Sequence, residues 1–84
     1  MIIEIKDFIN KDPDILYKEI KSDLDKGMKI IVDFKFIPNI TYDFLNSTIG
    51  KIIKEYNFDI IKNKINFINV DIEIREMLFK IVND

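Results

Sequence analysis

Apolar and polar positions along this chain follow two rhythms that take turns from one end to the other, one with the period of a strand and one with the period of a helix. "MIIEIKDFI", residues 1–9, is rich in β-branched isoleucine with charges interleaved, and it reads as a first strand. In "PDILYKEIKSDLDKG" the spacing turns helical. Leu16, Ile20 and Leu24 recur every four residues, with Ile15 beside that stripe. Asp12 stands where a side chain caps free N–H groups, Pro13 suits the first helical position, and Asp14 favours the positive end of the helix dipole. Gly27 ends the helix, because glycine enters the left-handed region without a β-carbon clash. "MKIIVDFKFI" is then a nearly unbroken apolar run, the pattern of a central strand, and Pro38 and Asn39 interrupt it.

A second helix is predicted from Thr41 as its cap through Tyr56. Asp43 lies in its first turn, and Leu45, Ile49, Ile52 and Tyr56 share one face, with Phe44 and Thr48 alongside. Gly50, in the middle of it, costs about 1 kcal/mol relative to alanine, so a close packing contact is expected there. "NFDIIKNK" reads as a lysine-containing connection with one irregular turn. "INFINV" is a third strand, and Asn69 or Asp71 caps a last helix whose Ile74, Leu78, Ile81 and Val82 point inward. The alternation of strand and helix predicts one α/β domain over residues 1–84, with a parallel or mixed sheet and right-handed crossovers. Phe34, Phe44, Phe67 and Phe79 are assigned to its core, whereas Phe8, Tyr17, Phe36, Tyr42 and Phe58 are left open.

Composition narrows the chemistry. The chain has no cysteine and no histidine, which removes thiolate metal sites, disulfides, cysteine nucleophiles, histidine-based triads and histidine pH switching. A net charge of −2 argues against a general nucleic-acid binder, which carries a basic face. Lys51, Lys54, Lys62 and Lys64 are interrupted by Glu55 and Asp59 and read as a solvated face. The only glycines, Gly27 and Gly50, do not form a phosphate-binding loop, and the fifteen carboxylates are explained by capping and solubility rather than by an acid/base pair. No cofactor is expected. No apolar run reaches the roughly 20 residues that span a bilayer, and a cytoplasmic protein with no membrane partner is expected. The abundance of isoleucine, lysine and asparagine, with no alanine, has the look of an AT-rich genome.

"KIIVDFKFIPNITYDFLNSTIGKII" resembles the centre of a STAS-like domain, the fold of sulfate-transporter and anti-sigma-factor-antagonist modules. The nearest likeness is to a compact bacterial and phage family of STAS-like domains of unknown function. The likeness rests on Asp33 and Phe34 at the strand end, Ile40 and Thr41 in the turn, Phe44 opening the helix, and Gly50 with Lys51 inside it. "NKINFINVDIEIREMLFKIV" is similar too, with Ile74, Leu78 and Ile81 at the aliphatic positions, so that the resemblance extends over residues 1–82. It implies a mixed sheet of about four strands with three helices packed mainly on one face. Two positions depart from the family pattern. Asp12 and Pro13 replace a serine-arginine pair, and Asp43 stands where better-understood STAS proteins carry a phosphorylated serine. A serine kinase has no target at that position, so the resemblance implies either that Thr41 is the phospho-acceptor or that Asp43 fixes the switch in an acidic state.

The resulting expectation is a non-enzymatic regulatory module that docks on another protein through the turn after the second strand. Phe36, Asn39, Thr41, Tyr42, Asp43 and Asn46, the last on the exposed side of the second helix, are the candidate contacts. The partner is expected to be a kinase-like, regulatory or defence component. An inhibitor from a phage or mobile element is the alternative within this class, and a small-ligand or nucleotide sensor is the alternative outside it.

Overall fold

The computed structural model describes residues 1–37 and 39–83; the break expected at Pro38 and the last residue, Asp84, lie outside them. Three short strands, β1 (Ile2–Glu4), β2 (Ile30–Asp33) and β3 (Ile65–Ile68), form one sheet in the order β1-β2-β3. Both pairings are parallel: Ile3 aligns with Val32 and Val32 with Phe67. Among the described residues, α1 (Pro13–Asp25), α2 (Tyr42–Ser47), α3 (Ile49–Tyr56), α4 (Phe58–Ile61) and α5 (Ile72–Val82) complete the fold. Among the described residues the sheet therefore has three strands rather than about four, all parallel rather than mixed, and the fold has five α-helices rather than three. No two strands are joined by a hairpin, and each connection carries a helix, which is the condition for parallel pairing.

Paired residues in a sheet share a face. The face carrying Ile3, Ile30, Val32 and Ile65 is buried beneath the helices, which also touch one another, α1 on α2 and α3, and α5 on α2 and α3. On the opposite face Ile2 and Asn66 are exposed. Leu16 and Ile20 of α1, Leu45, Ile49 and Ile52 of the middle helices, and Ile74 and Ile81 of α5 fill the core, as the helical spacing predicts. Ile15 is exposed, and Leu24, Leu78 and Val82 pack at the margin.

Several boundaries differ from the pattern. The first strand stops at Glu4, and Ile5–Asp7 form a 3-10 turn closed by Phe8 N–H on the Ile5 carbonyl at 2.9 Å. That turn brings Ile5, which is fully buried, under the helices instead of along the sheet. The long second helix is two helices. At Thr48 (φ −113°, ψ −85°) the hydroxyl donates back to the Phe44 carbonyl at 2.8 Å and bends the chain, a known effect of threonine inside helices. The connection after Tyr56 holds a one-turn helix, α4, whose Ile61 is buried and whose cap is Asn57 at φ 69°. Phe34 is core and meets Phe67 at 6.3 Å between ring centroids, but Phe44 and Phe67 are only half-buried and Phe79 is exposed. Phe79 lies five positions after Ile74, about 140° round the helix from that inward residue. Asp23 is buried, which capping and solubility do not explain, and its Oδ2 has no hydrogen-bond partner among the described residues.

Candidate functional site

The turn after β2 is built from its first residue. Asp33 Oδ1 accepts the Lys35 backbone N–H at 2.9 Å and so starts the reversal of the chain. The same oxygen accepts Asn69 Nδ2 at 2.9 Å, which ties this turn to the one between β3 and α5. The Asn69 amide, followed by the Lys35 N–H and the nearby ammonium groups, holds the Asp33 carboxyl below the usual carboxylate range, against a smaller opposing effect of burial. Asn69 takes a left-handed backbone (φ 54°), which asparagine tolerates. Asp71, not Asn69, caps α5, accepting Ile74 N–H at 2.8 Å.

Phe36 has φ 62°, a conformation that is strained for a bulky side chain, and it is 73% exposed. The Lys35 and Lys6 ammonium groups lie 4.9 and 5.6 Å from its ring centroid. Ile37, beside it, is buried and anchors the turn. Between Phe34–Ile37 on one side and Asn69–Asp71 on the other, an open cleft of about 680 Å³ lies beyond the carboxyl ends of β2 and β3.

Further along, Asn39 and Asp43 are exposed. Thr41 caps α2 through its Oγ1, which accepts Phe44 N–H at 3.0 Å, and the residue stays exposed. Tyr42 is half-buried, with Lys80 Nζ 5.3 Å from its ring centroid, and borders a shallow pocket between α2 and α5 that Glu73, Glu76 and Met77 also line. Asn46 does not sit on an exposed side. It is half-buried, and its Oδ1 is enclosed beside Gly50 without a hydrogen-bond partner among the described residues. The predicted contacts thus do not form one site: Phe36 lines the cleft, Tyr42 borders the pocket, Asn39, Thr41 and Asp43 are exposed outside both, and Asn46 faces inward. Sequence reasoning missed Lys6, Lys35, Asn69 and Lys80. Only Asn69 carried a local signal, since asparagine is enriched at positive φ.

A second polar cluster ties α1 to α3. Tyr17 donates its hydroxyl to Glu55 Oε1 at 2.5 Å, Lys21 donates to Glu55 Oε2 and to the Tyr56 hydroxyl at 3.3 Å each, and Tyr56 donates to Asp25 Oδ1 at 2.5 Å. The Tyr17 hydroxyl is the main cause that lowers the Glu55 carboxyl. The carboxylate bonds raise both phenols, and the Tyr56 and Glu55 bonds raise the Lys21 ammonium. Because the carboxylates and phenols are matched to one another, the cluster serves as a clamp between helices.

Among the described residues no group of three or more carboxylates is placed to hold a metal ion, and no helix is long and apolar enough to cross a membrane. Residues 14–75 match the profile of a family described as a STAS-like domain of unknown function. No curated protein and no solved structure matches the chain.

Proposed function

Since the chain belongs to the STAS-like domains of unknown function, we propose that it is a non-enzymatic binding module that docks on another protein through the turn from Phe36 to Asp43. The observation that carries this reading is Phe36. The residue sits in a backbone conformation that costs about 1–2 kcal/mol for an L-residue, and its ring is left largely in water. Strain of this kind gathers at functional positions, and large aromatic side chains contribute most of the energy at protein interfaces. The two ammonium groups over the ring give the docking surface a cationic rim, so a carboxylate-bearing partner surface suits it. Thr41 is exposed at the head of α2, where an added phosphate would change the charge of this surface. A regulatory protein, a kinase-like protein or a defence component is the kind of partner this reading expects, with a phage-borne inhibitor as one form of it.

The sensor reading has the cleft beneath Phe36 in its favour. The general rule for open parallel sheets, however, places ligands where the strand order reverses, and the order β1-β2-β3 has no such reversal.

The test is photo-crosslinking from position 36, with benzoylphenylalanine in place of Phe36, in lysate of the source cells. A discrete crosslinked partner that disappears in the Tyr42→Ala/Asp43→Lys variant, with thermal melts unchanged, supports the reading. A partner that crosslinks equally to both proteins places the contact elsewhere, and no discrete product counts against docking at this turn.

A further inference from the structure

Among the described residues no strand lies beside the outer edge of β3, and a groove runs next to it. Ile30 N–H bonds to the Lys64 carbonyl at 2.8 Å and Phe34 N–H to the Ile68 carbonyl at 3.1 Å. Residues alternate their bonding direction along a parallel ladder, so Ile65 and Phe67 turn their N–H and C=O groups away from β2. No backbone group among the described residues bonds to them. Two ladder residues with four backbone groups therefore stand open among the described residues, at the edge where sheets accept an added strand.

A groove of about 560 Å³ runs along this edge, between β3 on one side and α3, α4 and α5 on the other. Its walls are mostly apolar. Ile53, Leu78 and Val82 are partly or fully covered, whereas Phe79 is 70% exposed and Phe58 38% exposed at its rim. Neither ring belongs to the hydrophobic core. Among the described residues the charged side chains lining the groove are those of Lys62 and Arg75, both exposed, and no carboxylate lines it. The Arg75 side chain makes no ion pair or hydrogen bond among the described residues, and that of Lys62 has only a solvent-exposed pair with Asp59 at 3.5 Å, of a kind that contributes little. In a chain of net charge −2, this groove is locally cationic.

We propose that this edge is a second binding site, which takes an extended acidic segment of a partner protein as a fourth strand. The segment's backbone pairs with Ile65 and Phe67, its alternate apolar side chains lie between Phe58 and Phe79, and its carboxylates meet Lys62 and Arg75. The main-chain ladder supplies affinity and the alternating side chains supply specificity, as in other cases of strand addition. A second copy of this chain is the poorer occupant, because it would bring the same two cations to the same edge. The inference rests on the edge and groove alone and stands apart from the turn at Phe36.

The experiment selects ten-residue peptides from a random phage-displayed library on the intact protein and measures the best synthetic peptide by fluorescence anisotropy. The expected peptides alternate apolar and acidic residues. Binding slows hydrogen exchange of the Ile65 and Phe67 amides, weakens by about tenfold or more in Lys62→Glu/Arg75→Glu, weakens in Phe79→Ala, and persists in Tyr42→Ala/Asp43→Lys. The substituted groove residues are exposed, and circular dichroism confirms that each variant is folded. Enrichment no greater than on an unrelated protein overturns the proposal. So do selected peptides without acidic residues, equal binding by the charge-reversed variant, or exchange protection away from β3. A wild-type dimer in sedimentation that Phe79→Glu dissociates assigns the edge to self-association and also overturns it.

Discussion

The side-chain oxygen of Asn46 fills the space above the α-carbon of Gly50: a β-carbon there meets Asn46 Oδ1 at 2.8 Å and Ile81 Cγ2 at 3.2 Å. Alanine at position 50 recovers up to about 1 kcal/mol of helix propensity, but overfilling a packed site costs about 1–3 kcal/mol. The Gly50→Ala variant is therefore expected to lose about 1 kcal/mol in urea denaturation, as the difference of those two effects. Asn46→Ala alone removes an unpaired buried acceptor and is expected to be neutral or stabilising. The double variant recovers most of the loss. Simple additivity of the two changes would show that Asn46 is not the reason for the glycine.

The Phe36 turn makes stability and binding separable. Phe36→Gly relieves about 1–2 kcal/mol of backbone strain, against about 0.5–1 kcal/mol from the freer unfolded chain and the loss of exposed cation–π contacts. A change in stability within about 1 kcal/mol is expected, together with loss of the partner captured by wild type. A variant that keeps the partner would remove Phe36 from the interface.

The caps are local enough to test singly. Thr41→Ala and Asp71→Ala each remove one side-chain acceptor from a helix N-terminus, and each is expected to cost about 1 kcal/mol in thermal or urea melts. Thr41→Ser and Asp71→Asn keep the acceptor and should restore most of that loss.

Two phenylalanines expected to behave alike will not. Phe34 is 2% exposed and Phe79 is 70% exposed. Phe34→Ala is expected to cost about 3–5 kcal/mol, enough to unfold much of so small a domain, while Phe79→Ala stays within about 0.5 kcal/mol of wild type. Urea midpoints for the pair decide it.

Acid should weaken the clamp between α1 and α3. The Glu55 carboxyl is held below its ordinary value by the Tyr17 hydroxyl, so the folded chain binds that proton less readily than the unfolded chain does. Its contribution is complete above about pH 5 and is lost as pH falls through the folded value; Asp33 has the same sign, by way of Asn69. Tyr17 and Tyr56 are held above their ordinary value near 10, so theirs is complete below about pH 10 and is lost as pH rises through the folded values. Glu55→Gln should flatten the acid limb of a stability profile measured by urea between about pH 7 and pH 3. An acid limb parallel to that of wild type would rule out this role.

What could be read beforehand was local. Asp12, Thr41 and Gly27 each act through the nearest few backbone groups, and each is where its residue type puts it. The inward positions of α1 and α5 followed from helical spacing. The break at Thr48 was not legible, because it depends on a hydroxyl bonding back along its own helix and on Gly50 closing against Asn46 and Ile81, which is 31 positions away. The first strand was read too long because isoleucine is so frequent here that β-branching no longer distinguishes Ile3, in the sheet, from Ile5, in a turn. At the candidate site the exposed turn residues were legible, but the inward face of Asn46 and the bond from Asn69 to Asp33, 36 positions apart, were not.

The all-parallel order also bears on how the chain reaches its native state. Neither pair of neighbouring strands can meet through a tight local turn, because at least one whole helix must be traversed before β2 finds β1 or β3 finds β2. Loop-closure entropy opposes each of those encounters before any ladder bond rewards it. The helices, whose contacts are local, are therefore expected to gain structure early, and the sheet to set the pace. Until it closes, the isoleucine-rich segments of all three strands remain open to other chains.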